Sequence, residues 1–329
     1  EDSYAYIIVI YYGVAATAFY NLLSCIIRAL GDSKTPLIFL VFASFLNVAL
    51  DLLFIITFHM GVGGAAWATV LSQGVSGLLC LGYAWRRFPL LRMEKRHWTF
   101  DWSYAWKHLR LALPMAMQFV ITGTSVLVNQ AVLNLFGSAA VAAFSAASKI
   151  HMLSEQVAVS FGTAMATYAG QNYGAGKAGR VREGLRKCAL ACEAITLGIM
   201  VIMTAFGGVM SSWFIDGYHP EVIQQAHLYL FISALFYPAL TMLFLYRNTL
   251  LGLGNGVTPM LAGVCELLSR MIGAPVLGHF FGFTGLCWIN PIAWVTASGL
   301  LFLSYRKTMR NIRPVDPTVD ASDPNKIMN

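Results

Sequence analysis

The stretch FLNVALDLLFII, residues 45–56, is apolar except for Asn47 and Asp51. The two polar residues are four apart, so a helix carries both on one face. An ionised carboxylate in hydrocarbon costs at least about 2.5–3.5 kcal/mol. It persists there only if neutral, paired or bound to a cation. A carboxylate beside a carboxamide oxygen offers hard oxygen donors to an ion such as Na⁺. The same acid, held away from water, can also take up and release a proton. A polar knot that pins helices together is the structural alternative. Glu266 and Arg270 form a second pair at i, i+4, spaced to neutralise each other on one helix. Lys149, Glu155 and Gln156 share another apolar run, with Lys149 and Glu155 spaced wrongly for direct pairing on one face. Gln118, Asn129 and Gln130 are amides placed either to line a cavity or to glue helices.

The elements that position these residues are dictated by composition. Hydrophobic residues make up 57% of the 329-residue chain and charged ones 11%, against about 25% charged in a soluble domain. The mean hydropathy is +0.64. Apolar runs of roughly 20 residues recur, the length that crosses a ~30 Å hydrocarbon core. The expected fold is therefore an all-α polytopic membrane protein. Nine spans are drawn at 4–29, 36–58, 64–85, 109–136, 139–169, 183–213, 222–252, 257–279 and 284–305.

Charge placement orients them. The odd-numbered connections hold Arg28 and Lys34, then Arg86, Arg87, Arg92, Lys95, Arg96, Lys107 and Arg110, then Lys177, Arg180, Arg182, Arg186 and Lys187. The tail adds Arg306, Lys307, Arg310, Arg313 and Lys326, while the even connections carry only His59, Asp216, His219 and Glu221. Positive residues stay cytoplasmic, so the odd connections and the C-terminus are expected inside and residue 1 outside a plasma (inner) membrane. The net charge of +7 thus reports topology, not nucleic-acid binding.

Residues 20–36, YNLLSCIIRALGDSKTP, resemble residues 246–259, YRNTLLGLGNGVTP, at an offset of 223 that also pairs Tyr6 with Tyr229 and Asn47 with Arg270. GVGGAAW at 61–67 resembles GFTGLCW at 282–288. Spans 1–3 therefore match spans 7–9 in the same orientation, while the partners of spans 4–6 would lie upstream of residue 1. Both this repeat and the outward residue 1 imply a twelve-helix parent of two six-helix bundles in a parallel pseudo-two-fold repeat. The expected division is half an N-terminal bundle at 1–85, a basic cytoplasmic linker at 86–108, a complete C-terminal bundle at 109–305 and a basic tail at 306–329.

RALGDSKTP, LNVALDLLF, GVGGAAWATVLSQ and GQNYGAGKAGRV, in this order, resemble the multidrug and toxic compound extrusion (MATE) family. The resemblance implies helices 4–12 of that family's twelve. It implies export of organic cations and amphipathic drugs in exchange for Na⁺ or H⁺, with no cofactor besides the coupling ion and a monomer in the bilayer. It carries a cation-coupling role onto Tyr6, Asn47, Asp51 and Thr69, with Na⁺ at Asp51 and Asn47. Tyr6 also suits an interfacial aromatic belt, and Thr69 a back-bond to the preceding turn. Where other members place carboxylates in the C-terminal bundle, this chain has Thr122 and Leu240.

An enzyme is not expected. The Gly-rich GQNYGAGKAGR is no P-loop, since Ala178 follows Lys177. The six cysteines form no CxxC pair and read as small packing residues. A lipid-linked precursor flippase, which calls for a strongly basic cavity, and a non-transporting structural membrane protein are the competing readings.

Overall fold

The computed structural model describes residues 2–92, 99–215, 217 and 219–312. The described residues are helical throughout, with no strand. In order they form α1 (Asp2–Ala29), α2 (Lys34–Leu52), α3 (Gly61–Arg87), α4 (Trp102–Leu133), α5 (Gly137–Gly174), α6 (Ala178–Ser212), α7 (Pro220–Leu235), α8 (Tyr237–Gly252) and α9 (Val257–Asn311). A π-helical turn, Leu53–Thr57, continues α2 directly after the Asp51 level. The chain divides into two compact units, Glu1–Phe100 and Asp101–Asn329. In the first, α3 packs against both α1 and α2. In the second, α5 packs on α6, α7 and α8, while α9 packs on α4 and α8.

The helices follow the apolar runs, with two differences. Expected span 222–252 is two helices, bent by 54° between α7 and α8. Phe236 stands at the break and Pro238, which has no N–H to continue a helix, follows it. Expected spans 257–279 and 284–305 join in one assigned helix, α9, of 55 residues. Gly282 interrupts it with φ 58° and ψ −141°, a conformation outside the helical region. The two limbs then run antiparallel. Thr258 and Ser304 hydroxyls lie 3.0 Å apart, Ser269 and Thr296 hydroxyls 3.2 Å, and Arg270 Nε donates to Asn290 Oδ1 at 3.1 Å. Six helical runs among the described residues are long and apolar enough to cross a membrane, seven if the bent α7–α8 pair counts as one span. The basic linker is shorter than expected: α3 reaches Arg87 and α4 begins at Trp102, so Lys107 and Arg110 are helical. Asp101 caps α4 by accepting from Ser103 N–H at 2.8 Å. Arg306, Lys307 and Arg310 likewise belong to α9 rather than to a tail. Lys95, Arg96, Asp216, Arg313 and Lys326 lie outside the described residues.

The repeated turn has the same hydrogen bonds in both copies. Gly31 N–H donates to Arg28 C=O and Asp32 N–H to Ile27 C=O; at offset 223, Gly254 N–H donates to Leu251 C=O and Asn255 N–H to Leu250 C=O. Both glycines take positive φ, 97° and 80°, and close a Schellman motif. Asp32 Oδ1 then accepts from Thr35 N–H at 3.0 Å, as Asn255 Oδ1 accepts from Thr258 N–H at 3.1 Å. Gly61 and Gly282, paired by the second similar stretch, share φ 58°.

Asp32 differs from Asn255 in carrying charge. Its Oδ2 accepts from Tyr83 OH on α3 at 2.6 Å and from Thr35 Oγ1 at 2.7 Å. The Tyr83 hydrogen bond, followed by those from Thr35, lowers the Asp32 pKa from the ordinary 3.8 to about 2. A lowered folded-state pKa stabilises the fold above the ordinary value and stops doing so as pH falls through the folded one. Tyr83→Phe is expected to cost about 1–2 kcal/mol near neutral pH, and this cost should disappear as pH approaches about 2. Thermal unfolding of the purified pair at both pH values checks it; a cost independent of pH would mean that Tyr83 acts by packing alone.

Candidate functional site

In the first unit, close approaches set the register of the helices. Gly13 on α1 abuts Val70 on α3, and Gly77 abuts Phe19 and Tyr20. Gly64 on α3 abuts Phe54 just past α2, and Tyr83 reaches Asp32. Thus α1 runs parallel and α2 antiparallel to α3. By this register Tyr6 is level with about Gly63, Asp51 with about Ala66 and Asn47 with about Val70, beside Thr69. The four expected coupling residues share a band of roughly 10 Å along the helix axes.

Within that band the polar atoms are unevenly satisfied. Asp51 Oδ1 and Asn47 Nδ2 are buried without a hydrogen-bond partner. A buried polar atom left unpaired costs about 1–3 kcal/mol; Asp51 Oδ1 is open to a proton or a cation, whereas Asn47 Nδ2 is a donor and calls for an acceptor. Thr69 Oγ1 donates back to Ala65 C=O at 3.0 Å, the packing role weighed for it from sequence, which leaves its lone pairs available. Tyr6 is 37% exposed. On the Thr69 face of α3, Gln73 Oε1 and Ser76 Oγ are also buried and unpartnered, and sequence reasoning passed over both. Carboxylate, carboxamide and hydroxyl oxygens are hard donors that suit an alkali cation, and the carboxylate alone suits a proton.

The second unit holds a different arrangement, in which polar groups, most of them buried, are joined across α4, α7, α8 and both limbs of α9. Glu266 on α9 bonds Arg247 on α8 through Oε1 and lies 3.6 Å from Arg270 through Oε2. The expected Glu266–Arg270 pair is thus a triad, and all three residues are buried. Arg270 Nη1 donates to Ser125 Oγ on α4 at 2.7 Å and Nε to Asn290 Oδ1 on the second limb of α9. Asn290 Nδ2 donates to Tyr229 OH on α7 at 3.0 Å. Beside this chain, His151 on α5 shares a 2.8 Å hydrogen bond with Tyr237 OH, stacks on Trp294 with centroids 5.4 Å apart, and lies 4.0 Å from Glu155.

The other sequence candidates fall outside this network. Lys149 is exposed over the Phe214 ring, and Gln156 is exposed. Gln130 bonds Asn134, next along its own chain segment. Asn129 is half-buried. Gln118 is buried against Gly263, two turns from Ser125 on the same face of α4. Leu240 is core, and the six cysteines are free thiols. Sequence reading missed His151, although it stands four residues before Glu155 in an apolar run, and it missed Asn290 and Ser125, whose partners lie too far along the chain for spacing to pair them.

Since Glu266 serves two guanidiniums, Glu266→Gln should destabilise the protein by about 3–5 kcal/mol. Arg247→Met should cost less, because Arg270 still faces the carboxylate. Comparing the unfolding midpoints of the two variants in detergent checks the order; equal costs would show that Arg247 alone pairs with Glu266.

Comparison with known proteins places this architecture. Residues 114–276 match the MatE family model. The probable multidrug resistance protein YpnP of Bacillus subtilis is 33% identical over 289 residues, 86% of this chain and 61% of its own length. The probable multidrug resistance protein NorM of Thermotoga maritima is 28% identical over 310 residues, 91% of this chain and 66% of its own. The chain therefore spans about three-fifths to two-thirds of the length of these relatives. The crystal structure of the Vibrio cholerae MATE transporter VcmN in its bent form superposes with a TM-score of 0.82 at 22% identity, covering 93% of this chain and 69% of that one. The family match, these relatives and this fold agree: just under half of the chain matches the MatE family model, and the fold is the one seen in the MATE transporter structure.

Proposed function

We propose that the protein serves secondary active efflux, exporting cationic or amphipathic small molecules in exchange for Na⁺ or H⁺, with Asp51 as the coupling residue. The observation that carries this reading is the half-buried Asn47–Asp51 pair, whose Nδ2 and Oδ1 atoms are buried without hydrogen-bond partners inside an otherwise apolar helix. Relatives named as multidrug resistance proteins support the substrate class. Asn47 and Asp51 bind the coupling ion, with Tyr6 and Thr69 in the same band. Residue 1 lies outside and the C-terminus inside, in keeping with the basic connections. Breaks at Gly137 and Gly282 and the bent α7–α8 pair support a chain that crosses nine times. The protein acts as a monomer. The flippase reading finds less support, because the buried arginines are committed to Glu266 rather than lining a basic cavity.

Asp51→Asn keeps the side-chain shape and removes the change of charge. Ion-driven efflux of a fluorescent cation from vesicles should fall at least about tenfold, with insertion and expression unchanged; a tenfold loss is about 1.4 kcal/mol of coupling. Undiminished gradient-driven efflux in this variant would place the coupling elsewhere.

A further inference from the structure

The two units carry one polar site in two states. At the offset of 223, Tyr6 corresponds to Tyr229, Asn47 to Arg270 and Asp51 to Ala274. At the offset of the second similar stretch, 221, Thr69 corresponds to Asn290. Three residues matched by sequence alone are therefore joined to one another in the second unit: Arg270 bonds Asn290, and Asn290 bonds Tyr229. In the first unit, the acid and the amide of the pattern stand unpartnered. In the second, the acid is replaced by a buried alanine, the amide by a guanidinium, and the Arg270 groups reach Ser125, Asn290 and Glu266. Tyr229 is 2% exposed where Tyr6 is 37% exposed.

We infer that Arg270 is a tethered cation, its guanidinium permanently filling in the second unit the kind of site that Asn47 and Asp51 build in the first. Charge explains the paired substitutions. A covalently attached cation needs no local acid to attract it, and an acid at position 274 would add a charge to a group already served by Glu266. Glu266 fixes the guanidinium on one side, while Arg270 donates to the Ser125 and Asn290 oxygens that an exchangeable ion would otherwise use. The second unit thus holds its cation without exchange, and removing the tether opens a site for a small planar cation. The ion-site role of Asp51 in this comparison rests on the proposed function; the occupancy of the second site by Arg270 does not.

The test is chemical rescue in the purified full chain. Arg270→Ala should lower the thermal midpoint, and millimolar guanidinium or methylguanidinium should raise it again while leaving the wild type unchanged. Adding Asn290→Ala should abolish the rescue. No selective rescue, or rescue that survives Asn290→Ala, would overturn the inference. If Arg270→Ala does not fold, the reading passes to Arg270→Asn with Ala274→Asp, which copies the first unit's pattern. That pair should make stability depend on Na⁺ or on pH where the wild type does not; a stability insensitive to both would overturn the inference. These readouts are melting curves, so they stand or fall separately from the efflux of Asp51→Asn.

Discussion

Glu266 is the charge on which the second unit turns. Two guanidiniums are buried in a region of apolar helices, and neither can be left uncompensated there. One carboxylate serves both, and this requires α8 and the first limb of α9 to meet at Arg247 and Glu266. Arg270 then carries the connection to α4 through Ser125 and to the second limb of α9 through Asn290. Tyr229 extends it to α7. Non-directional apolar packing would let these helices slide or rotate at little cost. The hydrogen-bonded chain fixes their heights and faces, because each donor has one acceptor at one level.

The first unit obeys the same constraint by another route. It keeps its fixed charge at the turn between α1 and α2, where Asp32 gathers Tyr83, Thr35 and the Lys34 N–H. Its interior acid, Asp51, is left without a protein partner. The two units differ in type at this matched position, an amide at 47 and a guanidinium at 270.

Much of the architecture was legible in the sequence, because hydrocarbon thickness sets helix length and the turn glycines repeat. Gly31 and Gly254, paired in the similar stretches, both take positive φ, as do Gly61 and Gly282. The bend inside span 222–252 was not legible, because Pro238 can begin a helix as readily as it can kink one, and only the 54° angle between α7 and α8 shows the break. The Asn47–Asp51 pair was legible because both residues lie on one helix. The second unit's network was not. Arg270, Asn290, Ser125 and Tyr229 come from four helical segments, and local periodicity says nothing of which faces will meet. His151 escaped for the same reason: its partners Tyr237 and Trp294 lie far along the chain.

The π-helical turn at Leu53–Thr57 gives α2 a form of slack. It holds one residue more per turn than the helix before it, so that residue is surplus length that the chain has already absorbed. Such a surplus can move along a helix by exchanging one hydrogen bond at a time, without the whole helix unwinding. Passing it below Asp51 would turn that carboxylate by about 100° around the helix axis while α2 remained anchored at the Asp32 turn. The carboxylate could then address two sides of its helix in succession, as a ratchet tooth does, with rotation replacing translation.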